Sequence, residues 1–270
     1  MVSQHAIRVQ NLEKYFPPAH SGWRAFLQPF TRPTLCALAG ISFTAARGEA
    51  VALIGTNGAG KSTLLRVLAT LLLPTRGTAE IGGCDVVRDG AHARRQLGYH
   101  TGGEEGFYGR LTGRENLLLF GTMNNLSAAD ARQRVAEMRE LLDIGDSLDR
   151  QVRSYSTGML QRLSLARALL HGPSVLILDE PTRSLDMVAA ADFRRFLKSE
   201  ILGQRGTTLL FASHVLEEVN ELANRVALLH AGRLLAFDTP RNLCAASGKE
   251  DLRSAIEHLT PRTPSLGRIQ

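Results

Sequence analysis

The 270-residue sequence predicts an α/β fold, a mostly parallel sheet interrupted by a helical segment. Three observations predict it. The run 50–54 predicts a strand, and the short apolar runs 175–178 and 207–212 are of the kind found in buried parallel strands. A glycine-rich loop joins the first run to a helical stretch. In residues 127–143, Ala128, Ala131, Val135, Met138 and Leu142 recur at spacings of three and four, with no strand pattern in that region.

Taken in order, Ala6–Leu12 alternates weakly and predicts a strand. Residues 17–33 are rich in proline and aromatics and read as a loop-like insertion. Within them Trp23, Phe26, Leu27 and Phe30 would form an apolar stripe if helical, either packed on the chain itself or leaning on a membrane partner or lipid. Ile41–Thr44 and Ala50–Leu53 predict strands parted by the Arg47-Gly48 turn. A helix is expected from Gly60 to about Leu72, stopped by Pro74. Residues 98–113 read as a polar, glycine-rich stretch. Ser127 with Asp130 resembles a capping box for the next helix. Arg225–His230 and Leu234–Phe237 predict a hairpin about Ala231-Gly232. Leu252, Ala255, Ile256 and Leu259 predict one last short helix, with a frayed tail from Pro261.

Composition narrows the class. Hydrophobic residues make up 44%, enough for a sizeable core, and no apolar run reaches the 18 or so residues that span a bilayer. Met1–Asn11 lacks the apolar centre of a signal peptide, so a cytosolic protein is expected. Cys36, Cys84 and Cys244 have no metal-ligand spacing and make no even disulfide framework. The net charge of +6 comes from scattered Lys and Arg, without the basic run that would point to nucleic acid.

The chemistry-bearing motif is Gly55-Thr56-Asn57-Gly58-Ala59-Gly60-Lys61-Ser62, with Thr63 following, a complete G-x-x-x-x-G-K-[ST] phosphate loop between a strand and a helix. Its glycines let backbone N–H groups close around phosphate oxygens, and the helix adds the positive end of its dipole. Lys61 supplies a point charge for the β- and γ-phosphates, and Ser62 a hydroxyl for Mg²⁺. Leu176–Leu178 runs into Asp179-Glu180 at the C-terminal end of a strand, the end at which parallel sheets bind ligands. Asp179 is a candidate Mg²⁺ residue, and Glu180 a candidate to orient or deprotonate the attacking water. His214, ending the run Phe211–Ser213, would reach the same edge and donate to the γ-phosphate or the water.

Together with Ser156-Thr157-Gly158 and Ser184-Leu185-Asp186, these residues resemble the ATP-binding-cassette (ABC) ATPases from about Ile7 to Ala236. The stretch Tyr155–Arg162 is similar to the family's L-S-G-G-Q signature, with Tyr155, Thr157 and Met159 replacing Leu, the first Gly and Gln. Arg110–Asn116 looks like exporter-type cassettes. The resemblance implies a phosphate-loop ATPase core with a mostly parallel sheet, an antiparallel β-subdomain and a helical subdomain inserted at about 104–161. The ATPase domain would cover 1–240, with a short helix and tail at 241–270. It further implies a head-to-tail dimer, of two identical or paralogous cassettes, in which Ser156 and Gly158 of one subunit cover ATP on the other. Asp186 would lie in the family's D-loop, and Tyr15 would stack on adenine, with Phe16 a near competitor. The implied activity is Mg²⁺-dependent ATP hydrolysis driving transport, with export favoured, through a separate membrane-spanning permease at the cytoplasmic membrane face. A soluble ABC ATPase in cofactor assembly, or in nucleic-acid or ribosome-linked work, is the alternative. One departure stands out: the family's Gln after G-Y-x-x falls at Gly102, so that either water replaces it, or Glu104 or Glu105 reaches in, or hydrolysis is slow.

Overall fold

The computed structural model describes residues 5–17, 35–101 and 106–261. The Trp23 stripe and the Gly102, Glu104 and Glu105 positions lie outside the described residues.

Two sheets carry the fold. The larger runs β10-β9-β3-β8-β7-β6, from strands β3 (Ala50–Gly55), β6 (Leu97–His100), β7 (Val175–Asp179), β8 (Thr208–Ala212), β9 (Arg225–His230) and β10 (Arg233–Asp238). All its pairings are parallel except the terminal β9–β10 hairpin. The smaller sheet is antiparallel, ordered β2-β1-β4-β5, from β1 (His5–Phe16), β2 (Leu35–Ala46), β4 (Arg76–Ile81) and β5 (Cys84–Asp85).

The two-residue period of the strands divides the core. Ala50, Ala52, Ile54, Leu176, Leu178, Leu209 and Phe211 face one side. There they meet the helices α3 (Gly113–Met123), α4 (Ala128–Leu141) and α6 (Thr157–Leu169), through side chains such as Leu117, Met138 and Leu163. Val51, Leu53, Val175, Ile177, Leu210 and Ala212 face the other. They pack on α1 (Lys61–Leu68) and on Ile7, Leu12 and Ile41 of the antiparallel sheet. Because both faces are covered, the central strands are apolar on both faces, the terminal Thr208 and Asp179 apart, which is why they read as near-continuous runs. The remaining helices are α2 (Gly90–Gln96), α5 (Gly145–Leu148), α7 (Met187–Phe196, continued as a π-helix over Leu197–Gln204), α8 (Leu216–Leu222), α9 (Pro240–Ser247) and α10 (Leu252–Leu259).

Local chemistry explains the ends of the helical segment. Thr112 and Glu115 form a reciprocal capping box at the start of α3. Ser127 caps α4 by accepting the Asp130 N–H (3.1 Å) while its hydroxyl donates to the Asp130 carboxylate (2.6 Å). Ala131, Val135, Met138 and Leu142 are buried as their spacing requires, whereas Ala128 is exposed.

Three expectations need correction. The helix after the phosphate loop stops at Leu68 rather than Leu72: Thr70 turns left-handed (φ +60°), and the N–H groups of Leu71 and Leu72 both return to the Arg66 carbonyl. Leu71 and Leu73 are exposed, so the apolar run there is not core. The glycine-rich stretch opens with a strand, because Leu97–His100 pairs in parallel with Val175–Leu178. Gly98 is required there by close approach: a Cβ would lie 2.3 Å from the Ala168 carbonyl oxygen of α6. Finally, two helices follow the hairpin, not one. The first, α9, is capped by Thr239 with Pro240 in its first turn.

Candidate active site

The phosphate loop leaves β3 at the C-terminal edge of the larger sheet and enters α1 at Lys61. Two of its glycines have no substitute. A Cβ on Gly55 would meet the Leu229 carbonyl oxygen of β9 at 2.2 Å, and Gly60 combines φ +103° with the Ala37 carbonyl at 2.5 Å from its would-be Cβ. The loop is therefore wedged between β9 and β2. The Lys61 side chain is mostly buried and its ammonium donates to the carbonyls of Gly55 (2.6 Å) and Thr56 (3.3 Å). Thr63 follows Ser62 in the first turn of α1.

Strand β7 lies two strands away and delivers its carboxylates to the same edge. The Ser62 hydroxyl donates to Asp179 Oδ1 (3.4 Å). Glu180 comes next, with its backbone N–H on the Ala212 carbonyl (3.0 Å) and its φ at +50°, left-handed for a residue with a Cβ. Such a conformation costs on the order of 1–3 kcal/mol, and its surroundings hold it in place. His214, just beyond β8, faces the carboxylate, with Nδ1 3.5 Å from Oε1. A cavity of about 350 Å³ is lined by Ser62, Thr101, Asp179, Glu180, Arg183 and Ser184.

Burial dominates the electrostatics of this cluster. Burial pushes the Lys61 ammonium below its ordinary value, opposed by the carboxylates of Glu180 and Asp179. Burial pushes the Asp179 carboxyl up, the Ser62 hydrogen bond opposes it, and the Glu180 charge adds to the rise. The Asp179 carboxyl, raised by burial beside the Glu180 charge, is one whose ionised form a hard divalent cation would stabilise. The pair of a hydroxyl and a carboxylate is the all-oxygen donor set that Mg²⁺ takes beside phosphate oxygens and water, so these residues fit that ion.

The other predicted site residues assemble elsewhere. Ser156 caps α6, accepting the Met159 N–H (3.3 Å), and Asp186 caps α7, accepting the Ala189 N–H (2.9 Å). With Gly158 they line a groove that shares no lining residue with the Ser62–Glu180 cavity. Within one chain these residues thus fall into two separate groups. Tyr15 pairs with Cys36 on β2, next to the Ala37 whose carbonyl abuts Gly60. Its phenol is raised, by the Glu13 charge first and Cys36 second. The sequence reading did not single out Thr101 or Arg183. The signal for Arg183 was Pro181, which favours a turn bringing residue 183 back over Glu180.

A family model described as ABC transporter matches residues 38–183, from the middle of β2 to the turn after Glu180. The chain belongs to the ABC transporter family. Among related cassettes, the ABC transporter ATP-binding protein NatA of Bacillus subtilis (strain 168) is 36% identical over 212 residues, covering 78% of this chain and 85% of that protein. The daunorubicin/doxorubicin resistance ATP-binding protein DrrA of Streptomyces peucetius is 37% identical over 229 residues, covering 84% of this chain and 68% of its own length. A solved ATP-binding subunit of an ABC transporter superposes with a TM-score of 0.76 at 26% identity, over 94% of this chain and 99% of that one. The ABC ATPase fold, a parallel core with an antiparallel sheet and several helices, is therefore the fold of this chain. As an ABC ATPase subunit it couples ATP hydrolysis to transport. No helix among the described residues is long and apolar enough to cross a membrane.

Proposed function

We propose that this chain is the Mg²⁺-dependent ATPase of an exporter, docked from the cytoplasmic side on a separate membrane-spanning permease. The observation that carries the reading is the convergence of Lys61, Ser62, Asp179 and Glu180 on one sheet edge. Lys61 and the loop N–H groups bind the β- and γ-phosphates; Ser62 and Asp179 would hold Mg²⁺. The ion supplies charge neutralisation at the phosphate oxygens when bound. Glu180 orients a water in line with the γ-phosphorus and draws its proton as the water oxygen bonds to phosphorus; the P–O bond to ADP breaks, ADP and inorganic phosphate are released, and His214 steadies the Glu180 carboxylate.

The separation of Ser156, Gly158 and Asp186 from the phosphate loop supports a head-to-tail dimer, of identical or paralogous cassettes, in which each half-site completes the other. Tyr15, near the Gly60 end of the loop, is the proposed adenine platform. Residues 1–240 with their helical insertion at about 104–161 form the proposed ATPase domain, and 241–270 the appended helices and tail. The resistance-protein relatives support the reading of a drug-like cargo. The test is to purify the chain from native membranes, identify the co-purifying permease, and reconstitute both in vesicles. ATP-driven, orthovanadate-sensitive substrate movement is expected. ATP hydrolysis in a complex without any membrane-spanning subunit would overturn the transport reading in favour of a soluble ABC ATPase.

A further inference from the structure

Arg183 occupies a position that ion pairing for stability does not account for. The turn after β7 returns it over Glu180: its backbone N–H donates to the Glu180 carbonyl (3.2 Å) and its Nη1 to Glu180 Oε2 (3.1 Å). It lines the same small cavity as Ser62, Asp179 and Glu180. Yet the Arg183 side chain is 74% exposed while that of Glu180 is 24% exposed. An ion pair this wet contributes little to stability, so exchanging its carboxylate for another oxyanion costs little. A guanidinium gains most from a phosphate, on which its planar fork makes two parallel charge-assisted hydrogen bonds.

We propose that Arg183 is a γ-phosphate ligand supplied by the same chain, parked on Glu180 and transferred to the terminal phosphate oxygens when a nucleoside triphosphate binds. The proposal rests on the Lys61–Ser62 loop being the ATP site. Transfer does two things at once. It adds a cation that only a triphosphate can engage, so ATP is selected over ADP. It also frees Glu180 Oε2 to accept a hydrogen bond from water, while His214 remains on Oε1. The carboxylate is thus occupied when the γ-phosphate is absent and released when it is present.

Nucleotide affinity separates this from an ordinary surface pair. Binding of ADP and of a non-hydrolysable β,γ-imido ATP analogue to the parent chain, Arg183→Ala and Arg183→Lys is measured by calorimetry with Mg²⁺ present. Circular dichroism checks that each variant is folded. Arg183→Ala is expected to weaken the analogue at least tenfold and leave ADP within twofold, with Arg183→Lys in between. In Glu180→Gln, where the parking carboxylate is gone, the analogue should bind more tightly than to the parent. Equal affinities in parent and Arg183→Ala, or an equal loss for both nucleotides, would overturn the proposal while the ATP site stands. A parent chain that binds neither nucleotide, as Lys61→Ala is expected to, would overturn the ATP-site reading and this proposal with it.

Discussion

The Ser62 hydroxyl meets Asp179 Oδ1 at 3.4 Å, joining the first turn of α1 to the last residue of β7. These two elements are far apart in sequence and share no direct strand pairing, since β8 lies between β3 and β7. What brings the oxygens together is the common C-terminal edge of a parallel sheet. If this pair holds Mg²⁺, Asp179→Asn should raise the Mg²⁺ concentration needed for half-maximal hydrolysis at least tenfold. Ser62→Ala should act in the same direction. A magnesium titration at saturating ATP reads both; an unchanged midpoint in Asp179→Asn would remove it from the ion's ligands.

Glu180 should prove separable from binding. Glu180→Gln keeps the shape of the side chain and the phosphate cradle but discards the proton acceptor. Turnover is expected to fall by about 10²–10⁴-fold, the usual contribution of a positioned general base. ATP should then stabilise a dimer visible by light scattering. A variant that hydrolyses ATP at the parent rate would refute the assignment of Glu180.

The glycines of the loop predict opposite kinds of damage. Gly55→Ala drives a methyl group into the Leu229 carbonyl, and the β9 backbone cannot give way cheaply. A stability loss of about 1–3 kcal/mol is expected, together with lost ATP binding. Gly58 has open space around its would-be Cβ but a φ of +79°. Gly58→Ala should therefore cost only the left-handed backbone, about 1–2 kcal/mol. Urea melts with and without nucleotide distinguish the two.

His100 gives the fold an acid limit. It is fully buried at the end of β6, with Nδ1 3.0 Å from the Ser164 hydroxyl of α6 and its ring stacked on Phe193. Burial pulls its imidazole down to about 4, opposed by hydrogen bonding to Gln161. With the folded value below the ordinary one of 6.5, its contribution is complete above pH 6.5. Stability drains as the pH falls toward 4, by about 3 kcal/mol for this group. His100→Asn should melt at a lower temperature at pH 7 yet show a flatter decline between pH 6.5 and 4.5. Parallel melting curves for parent and variant across that range would show that His100 is not the source.

Features carried by contiguous residues were readable in advance. The phosphate loop, the carboxylates after Leu178, the β9–β10 hairpin and the buried face of α4 each announce themselves within a dozen residues. What escaped depends on partners distant in the chain. Leu97–His100 is too short and too glycine-rich to signal a strand. Its register comes from Val175–Leu178, and its glycine from the proximity of Ala168. Leu71–Leu73 looked like more helix because hydropathy does not reveal that Thr70 breaks the turn. Arg183 passed unremarked because its place beside Glu180 exists only once the Pro181 turn has closed.

The wedge between Gly55 and Leu229 also sets the order in which this protein can be born. The loop leaves the ribosome early, whereas β8 and β9, the strands that flank β3, emerge only in the second half of translation. A nascent chain that has not yet released residue 230 lacks the strand against which the loop is wedged. Nucleotide is therefore expected to give no stabilisation in the early stages of synthesis. Its stabilising effect on the newborn chain begins only when β9 has cleared the exit tunnel and slid in beside β3.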